Sequence, residues 1–338
     1  MAIRTLLGDR GDAGKRLDLV LRRHLADLEA TRTRVQSWID RGTVSVNGRA
    51  VRRAATRVAA GDELTVDIPD TALPQRRTIE EDPTPLDILF EDQHLVAVNK
   101  PAGMVVHPTH AQPAGTLLNL LMWYSRRWPQ GTRPSLVGRL DKLTSGVVLA
   151  AKTAPVHAAL QRRLAATAAE KDYLAIVYGR VRPRSGTIDL RLRRDPDDRR
   201  RVITSESKGA VSVTRFERLA EVAARKAGLA LVRCRLVTGR THQIRAHLAA
   251  RGWPLVGDPT YSEPRWMRVA DTDLAETLRA FPRQALHAWQ LSFAHPVTSV
   301  RVNVEAPVPA DMRALLGACG LEVAPVDADH RIRTRTEY

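Results

Sequence analysis

Two cysteines in 338 residues, Cys234 and Cys319, are too few and too far apart for a disulfide framework, and neither stands in a metal-ligand spacing. Cys234 alternates with apolar neighbours in a strand-like run, the pattern of a core residue. No His-Glu-x-x-His, Cys-x-x-Cys or dinucleotide fingerprint occurs, and Ser145 lies outside any Gly-x-Ser-x-Gly elbow. His242 and His247 are five apart and would not share a helical face. Gly11-Asp12-Ala13-Gly14-Lys15-Arg16 resembles a phosphate loop only superficially, because position 9 is Asp and no Ser or Thr follows the lysine. No metal, nucleotide or other cofactor is expected. No apolar run approaches membrane-spanning length, and residues 1–10 hold no long apolar segment of the kind a signal peptide carries. The expected compartment is the cytosol, with no membrane partner.

Lysine is also scarce: seven of the 53 basic residues, against 46 arginines. Guanidinium forks suit phosphates and stack on bases. A GC-rich genome inflates Arg and Ala together, so the net charge carries more weight than the ratio. That charge is +16, with a pI of about 10.8. A chain this basic calls for a polyanion, and nucleic acid is the first candidate. The length suggests two domains or one large one, and 43% hydrophobic residues are enough for a sizeable core.

Residues 15–68 read as a small helix-helix-hairpin module. Leu17, Val20, Leu21, Leu25 and Leu28 fall on one helical face. Thr31 or Thr33 caps a second helix that turns Val35, Trp38 and Ile39 inward and closes at Gly42. Val44 and Val46 run into Asn47-Gly48, a strong tight-hairpin signal. Leu64, Val66 and Ile68 alternate in a last strand. The flanks are basic: Arg32, Arg34, Arg49, Arg52 and Arg53. Residues 69–85 are polar and Pro-bearing, as a linker would be. From Leu86 the texture is short apolar strands punctuated by Gly and Pro, with helices expected at 116–123, 153–166 and 241–250. This predicts an α+β chain whose larger domain (86–310) is built on a mostly antiparallel sheet. Six arginines crowd residues 191–201, read as a loop that is either solvated or phosphate-contacting. A short helix follows Pro309, and 311–338 ends in a flexible basic tail.

The most informative run is Gly138-Arg139-Leu140-Asp141-Lys142-Leu143-Thr144-Ser145-Gly146. It sets one carboxylate between two cations on a turn entering the buried strand Val147–Ala151, a place for a poised acid, base or nucleophile. Taken alone, the run is compatible with an ordinary surface turn. Three further segments change that: Val98-Asn99-Lys100-Pro101-Ala102-Gly103-Met104-Val105-Val106-His107-Pro108; Lys171-Asp172-Tyr173-Leu174-Ala175-Ile176-Val177-Tyr178-Gly179; and Val237-Thr238-Gly239-Arg240-Thr241-His242-Gln243-Ile244-Arg245, followed by His247 and Gly252-Trp253-Pro254-Leu255-Val256-Gly257-Asp258.

In this order and spacing, the set resembles the RluA family of RNA pseudouridine synthases over roughly residues 86–310. The N-terminal module resembles the RNA-binding module of ribosomal small-subunit protein four. The resemblance implies an isomerase that converts uridine to pseudouridine in structured RNA, with large-subunit ribosomal RNA preferred and transfer RNA second, acting as a monomer. It makes Asp141 the essential carboxylate, by attack on the base, attack on the sugar or removal of a sugar proton. An ordinary Asp is ionised at neutral pH, burial opposes that, and a partner cation offsets the burial; the resemblance gives the partner's role to Arg245. Tyr173 matches the family's active-site tyrosine. Arg139 matches a residue used beside the displaced nucleotide. Lys100, His107, Arg240 and His242 are expected to shape the pocket or contact the RNA backbone, and Arg32 and Arg34 to bind RNA from the module. Where the family usually has His before Arg-Leu-Asp, this chain has Gly138, which looks more like the related RsuA-type enzymes and bears on the target site. The rival is a non-catalytic RNA-binding assembly protein, against which the intact Asp141, Tyr173 and Arg245 argue.

Overall fold

The structure is a computed structural model that describes residues 2–321, apart from 29, 69–78, 110, 166–168, 199, 225, 226, 263 and 264. The chain divides into two compact units, 1–78 and 79–338. The expected tail, and most of the expected linker, lie outside the described residues.

In the first unit, strand β1 (Ala2–Leu7) precedes helices α1 (Leu17–His24) and α2 (Arg32–Arg41) and strands β2 (Val44–Val46), β3 (Arg49–Ala50) and β4 (Glu63–Ile68). The apolar face of α1 closes on Val35, Trp38 and Ile39 of α2 and on Val44, Leu64 and Val66. Thr31 is the N-cap: its hydroxyl accepts from the Arg34 N–H at 3.3 Å, while Gly42, at φ 79°, ends α2 in the left-handed conformation. Asn47 (φ 50°) and Gly48 (φ 75°) both take the positive φ of the tight hairpin turn. The sheet order is β1-β4-β2-β3. Strand β1 carries no period-two signal, because Ile3 and Leu7 are both exposed and Leu6 is only half-buried. Backbone pairing to β4 holds it instead.

The second unit contains β5 (Ile88–Glu91), β6 (Leu95–Lys100), α3 (Leu117–Tyr124), β7 (Ser135–Val137), β8 (Ser145–Ala151), α4 (Ala154–Ala165), β9 (Glu170–Tyr178), β10 (Ser185–Asp189), β11 (Arg191–Arg194), β12 (Val202–Ser205), β13 (Val213–Ala224), β14 (Ala227–Leu236), α5 (Gln243–Ala250), α6 (Thr272–Ala280), β15 (Leu286–Ala294), β16 (Arg301–Glu305) and α7 (Ala310–Ala318). One ten-stranded sheet runs β10-β13-β14-β9-β15-β8-β6-β5, with β16 on β15 and β7 on β8. Every pairing in it is antiparallel except β15 with β8. Alternation along β9 sends Leu174, Ile176 and Tyr178 toward α6 and α7, and Tyr173, Ala175 and Val177 toward Ile244 and Leu248 of α5. The β6–β8 region is covered by α3 on one face and α4 on the other. Residues 191–201, read as a loop, instead supply β11, which pairs with β12 as a hairpin of its own. Among its residues, only Leu192 gives an inward apolar signal.

The central register positions the site. Ala288 of β15 lies opposite Tyr173 on one side and Gly146 on the other. At Gly146 (φ 114°), an added Cβ would sit 2.1 Å from the Ala288 carbonyl oxygen. The strand-entry turn therefore docks against β15 only with glycine there. Gly146→Ala is expected to cost about 4 kcal/mol or more, combining left-handed strain with a backbone clash. Chemical unfolding monitored by circular dichroism checks this; a loss under about 1 kcal/mol would contradict the close approach.

Candidate active site

The turn between β7 and β8 is held from four directions. The buried Lys100 ammonium donates to the Pro101, Met104 and Lys142 carbonyls at 2.7, 2.9 and 3.2 Å. The Gly103 N–H shares the Lys142 carbonyl at 2.8 Å. Arg283 donates to the Leu143 carbonyl at 3.2 Å while forking onto Asp311 of α7 at 2.6 and 2.9 Å. Gln284 reaches the Thr144 hydroxyl at 3.1 Å, and Ser145 meets His287 Nδ1 at 2.9 Å. Leu140 packs into the apolar cluster around Val98, Val106 and Leu117. Asp141 projects from this fixed turn with 20% of its side chain exposed.

Its partner comes from α5. Arg245 Nη1 donates to Asp141 Oδ2 at 3.0 Å. The rest of that guanidinium is occupied: Nε and Nη2 fork onto Asp258 at 2.7 and 2.9 Å, and Nη2 also reaches the Thr260 hydroxyl at 3.0 Å. The Tyr261 ring lies against it, 5.1 Å from Cζ. Asp258 is wholly buried and Arg245 nearly so, which makes their geometry stiff and the loss of either partner costly. One cation thus neutralises one buried acid completely and leaves a single N–H pair for Asp141.

These groups wall a cavity of about 520 Å³. Its lining mixes Asp141, Arg139, Tyr173, Arg240, His242 and Arg245 with Leu140, Leu236, Ile244 and Leu286. Tyr173 is half-buried, and its hydroxyl has no hydrogen-bond partner among the described residues; burial, with the Asp141 charge, pushes its phenol well above the usual range. His242 stands just before α5 at φ 53°, which starts that helix two residues later than the sequence suggests. Burial holds its imidazole below its ordinary value, Asp141 and Asp258 pull it up, and Arg245 and Arg139 push it down. The net shift is downward, so at pH 7 the ring is neutral, and the 3.8 Å approach of Nε2 to Asp141 is a polar contact without a full ion pair.

Asp141, Tyr173, Arg245, Arg139, Arg240 and His242 therefore meet in one cavity. Arg139 and Arg240 are exposed at it. His107 lies outside the lining residues with its side chain exposed, and partial desolvation, then the Arg139 charge, lowers its pKa. Of the two roles expected for Lys100, shaping the pocket and contacting the RNA backbone, its contacts fit the first. It has no exposed surface and spends its donors on the turn, so it shapes the site from beneath. Arg32 and Arg34 belong to the first unit. Arg32 is exposed near the buried Asp18, and Arg34 lies over Trp38 with 5.0 Å between Cζ and the ring centroid. Sequence reading missed Thr260, Tyr261 and Arg283, and gave Asp258 no role. Asp258 ends the run that begins at Gly252, and Thr260 and Tyr261 stand two and three residues beyond it. Gly138 takes φ 83° with nothing within 4 Å of an added Cβ, so the position has room for a side chain but a backbone that disfavours one.

Residues 94–250 match the family described as RNA pseudouridylate synthase, and residues 15–64 match the S4 domain. The chain is 40% identical over 315 residues to the ribosomal large subunit pseudouridine synthase D of Xylella fastidiosa, covering 91% of this chain and 90% of the relative. The chain belongs to the RNA pseudouridine synthase family. The Pseudomonas aeruginosa protein of the same name is 39% identical over 304 residues, covering 90% of this chain and 91% of that one. Among solved structures, human RNA pseudouridylate synthase domain containing 4 aligns with a TM-score of 0.55 at 25% identity, over 69% of this chain and 93% of that one. The synthase is thus an isomerase with an N-terminal S4 domain. None of its described helices is long and apolar enough to cross a membrane.

Lys100 gives the synthase a measurable pH signature. Burial, then the Arg283 charge, lowers its pKa to about 7, against a partial upward pull from Asp141. Between pH 7 and 10.5 the unfolded chain therefore holds more protons at this position than the folded one, and stability rises with pH across that window. Unfolding free energies of wild type and Lys100→Met, measured from pH 6 to 10, are expected to diverge in favour of wild type as pH rises. Parallel curves would contradict it.

Proposed function

We propose that this synthase converts uridines of large-subunit ribosomal RNA to pseudouridine, as a monomer in the cytosol, with Asp141 as its catalytic carboxylate. The reading rests chiefly on the Arg245 Nη1 group left to Asp141 at the wall of the cavity, 3.0 Å from its Oδ2. Formation of pseudouridine breaks the bond between ribose and uracil nitrogen, turns the base, and rejoins it through carbon five, which loses its hydrogen. Each route open to the carboxylate requires it to be anionic and aimed. Arg245 pairs with the carboxylate, and the fixed turn aims it without the reorganisation that a mobile loop would need. The Tyr173 ring offers a stacking face for uracil, and its unpartnered hydroxyl a polar contact. The exposed Arg139 suits propping the gap left when a base is flipped out. All these groups come from one chain. The names of the relatives support ribosomal RNA as the substrate.

Pseudouridine mapping in cells with and without the protein tests the substrate. Loss of a large-subunit site is expected, and loss of transfer RNA sites alone would reassign it. Asp141→Asn nearly preserves shape while removing charge. It is expected to bind RNA within a few-fold of wild type and to release no tritium from RNA labelled at uridine carbon five; substantial release would remove Asp141 from catalysis. In the S4 domain, Arg32→Ala with Arg34→Ala should flatten the log–log salt slope of RNA affinity by about 1.4, the single-strand value for two phosphate contacts. An unchanged slope would exclude both arginines from the RNA.

A further inference from the structure

The Arg245 guanidinium and the arginine-rich hairpin β11–β12 share one aromatic residue. The Tyr261 hydroxyl accepts from the Val202 N–H at 2.9 Å, donates to the Val202 carbonyl at 3.1 Å, and lies 3.2 Å from His242 Nδ1. Its ring meets Arg245 on the catalytic side, with Arg201 of the hairpin at 5.6 Å and the His242 ring edge-on at 5.8 Å. Its own N–H donates to Asp258 Oδ1 at 3.1 Å, the carboxylate that holds Arg245. The base of the hairpin is tied to the same helix, for His247 Nε2 meets the Leu190 carbonyl at 2.9 Å.

The hairpin has charge to spare. Arg200 is engaged by Asp198, whereas Arg193 and Arg194 are exposed and pair with no carboxylate among the described residues. Both stand on the strand opposite Val202 and Ile203. A phosphate held by either would press on the strand paired with the one whose backbone grips Tyr261.

We propose that Tyr261 is a positioning residue that couples the β11–β12 hairpin to the Asp141–Arg245 pair, so that RNA seated on the hairpin sets the guanidinium that aims the carboxylate. This rests on the reading of Asp141 as the catalytic carboxylate of an RNA substrate. It differs from a purely structural role in linking turnover to hairpin charge.

The test measures kcat and KM by tritium release from saturating to limiting RNA for wild type, Tyr261→Phe, Arg193→Gln with Arg194→Gln, and the three combined, with melting temperatures alongside. Tyr261→Phe keeps the ring and loses the hydroxyl. It is expected to lower kcat about three- to tenfold, the span of one to two net hydrogen bonds, with KM little changed. The hairpin variant should raise KM and also lower kcat. The combined variant should show the kcat of Tyr261→Phe alone, because the coupling is already cut. A Tyr261→Phe enzyme with wild-type kcat, or kcat losses that multiply, would overturn the proposal. Should Tyr261→Phe fail to fold, the hairpin variant decides: lowered kcat at saturating RNA is expected, and a change in KM alone refutes the coupling. Release that persists in Asp141→Asn would sink the catalytic reading instead, through a different arm.

Discussion

A buried guanidinium is the constraint on which the site depends. Arg245 cannot sit in the interior without acceptors for its donors, and Asp258 and Thr260 supply three of its four hydrogen bonds among the described residues. Only then is its last contact directional enough to place Asp141. A lysine at position 245 would carry the charge but not the fork. The arrangement also separates two duties that a single ion pair would confuse. Asp258 compensates the buried charge, and Asp141 is left at the cavity edge, partly solvated and available to a ligand.

The sheet makes that pairing possible. The turn bearing Asp141 enters β8, Tyr173 rides on β9, and β14 leads into the segment that carries His242 and Arg245. Strand β15 stands between β8 and β9 and pairs with both, in parallel to one and antiparallel to the other. The parallel pair is short, and Gly146 occupies it where any side chain would meet the neighbouring carbonyl. The turn bearing Asp141 and the tyrosine strand are therefore one strand apart.

Much of this was legible in the residues. The S4 helices, the Thr31 cap, the Asn47-Gly48 turn and the buried strand after Asp141 all follow from local periodicity and turn chemistry. The grouping of Asp141, Tyr173 and Arg245 was readable only through the motif set, because nothing local says that residues 104 apart share a hydrogen bond. Lys100 was left between two roles for the same reason. A lysine in a loop motif reads as a contact for phosphate, and its three carbonyl partners become visible only when the turn is folded over it. Strand β1 escaped because its outer side chains are apolar and exposed, and Tyr261 because its importance lies in what it touches on two separate elements.

The turn that carries Asp141 is fastened by partners that the chain reaches very late. Arg283, Gln284 and His287 lie 140 to 142 residues beyond the groups they hold. Loop closure over such spans must be met before any of these bonds forms. A chain emerging during synthesis can build its N-terminal unit early. It still cannot set Asp141 until β15 has arrived. The turn that carries this carboxylate is thus among the last parts of the molecule to take its final form.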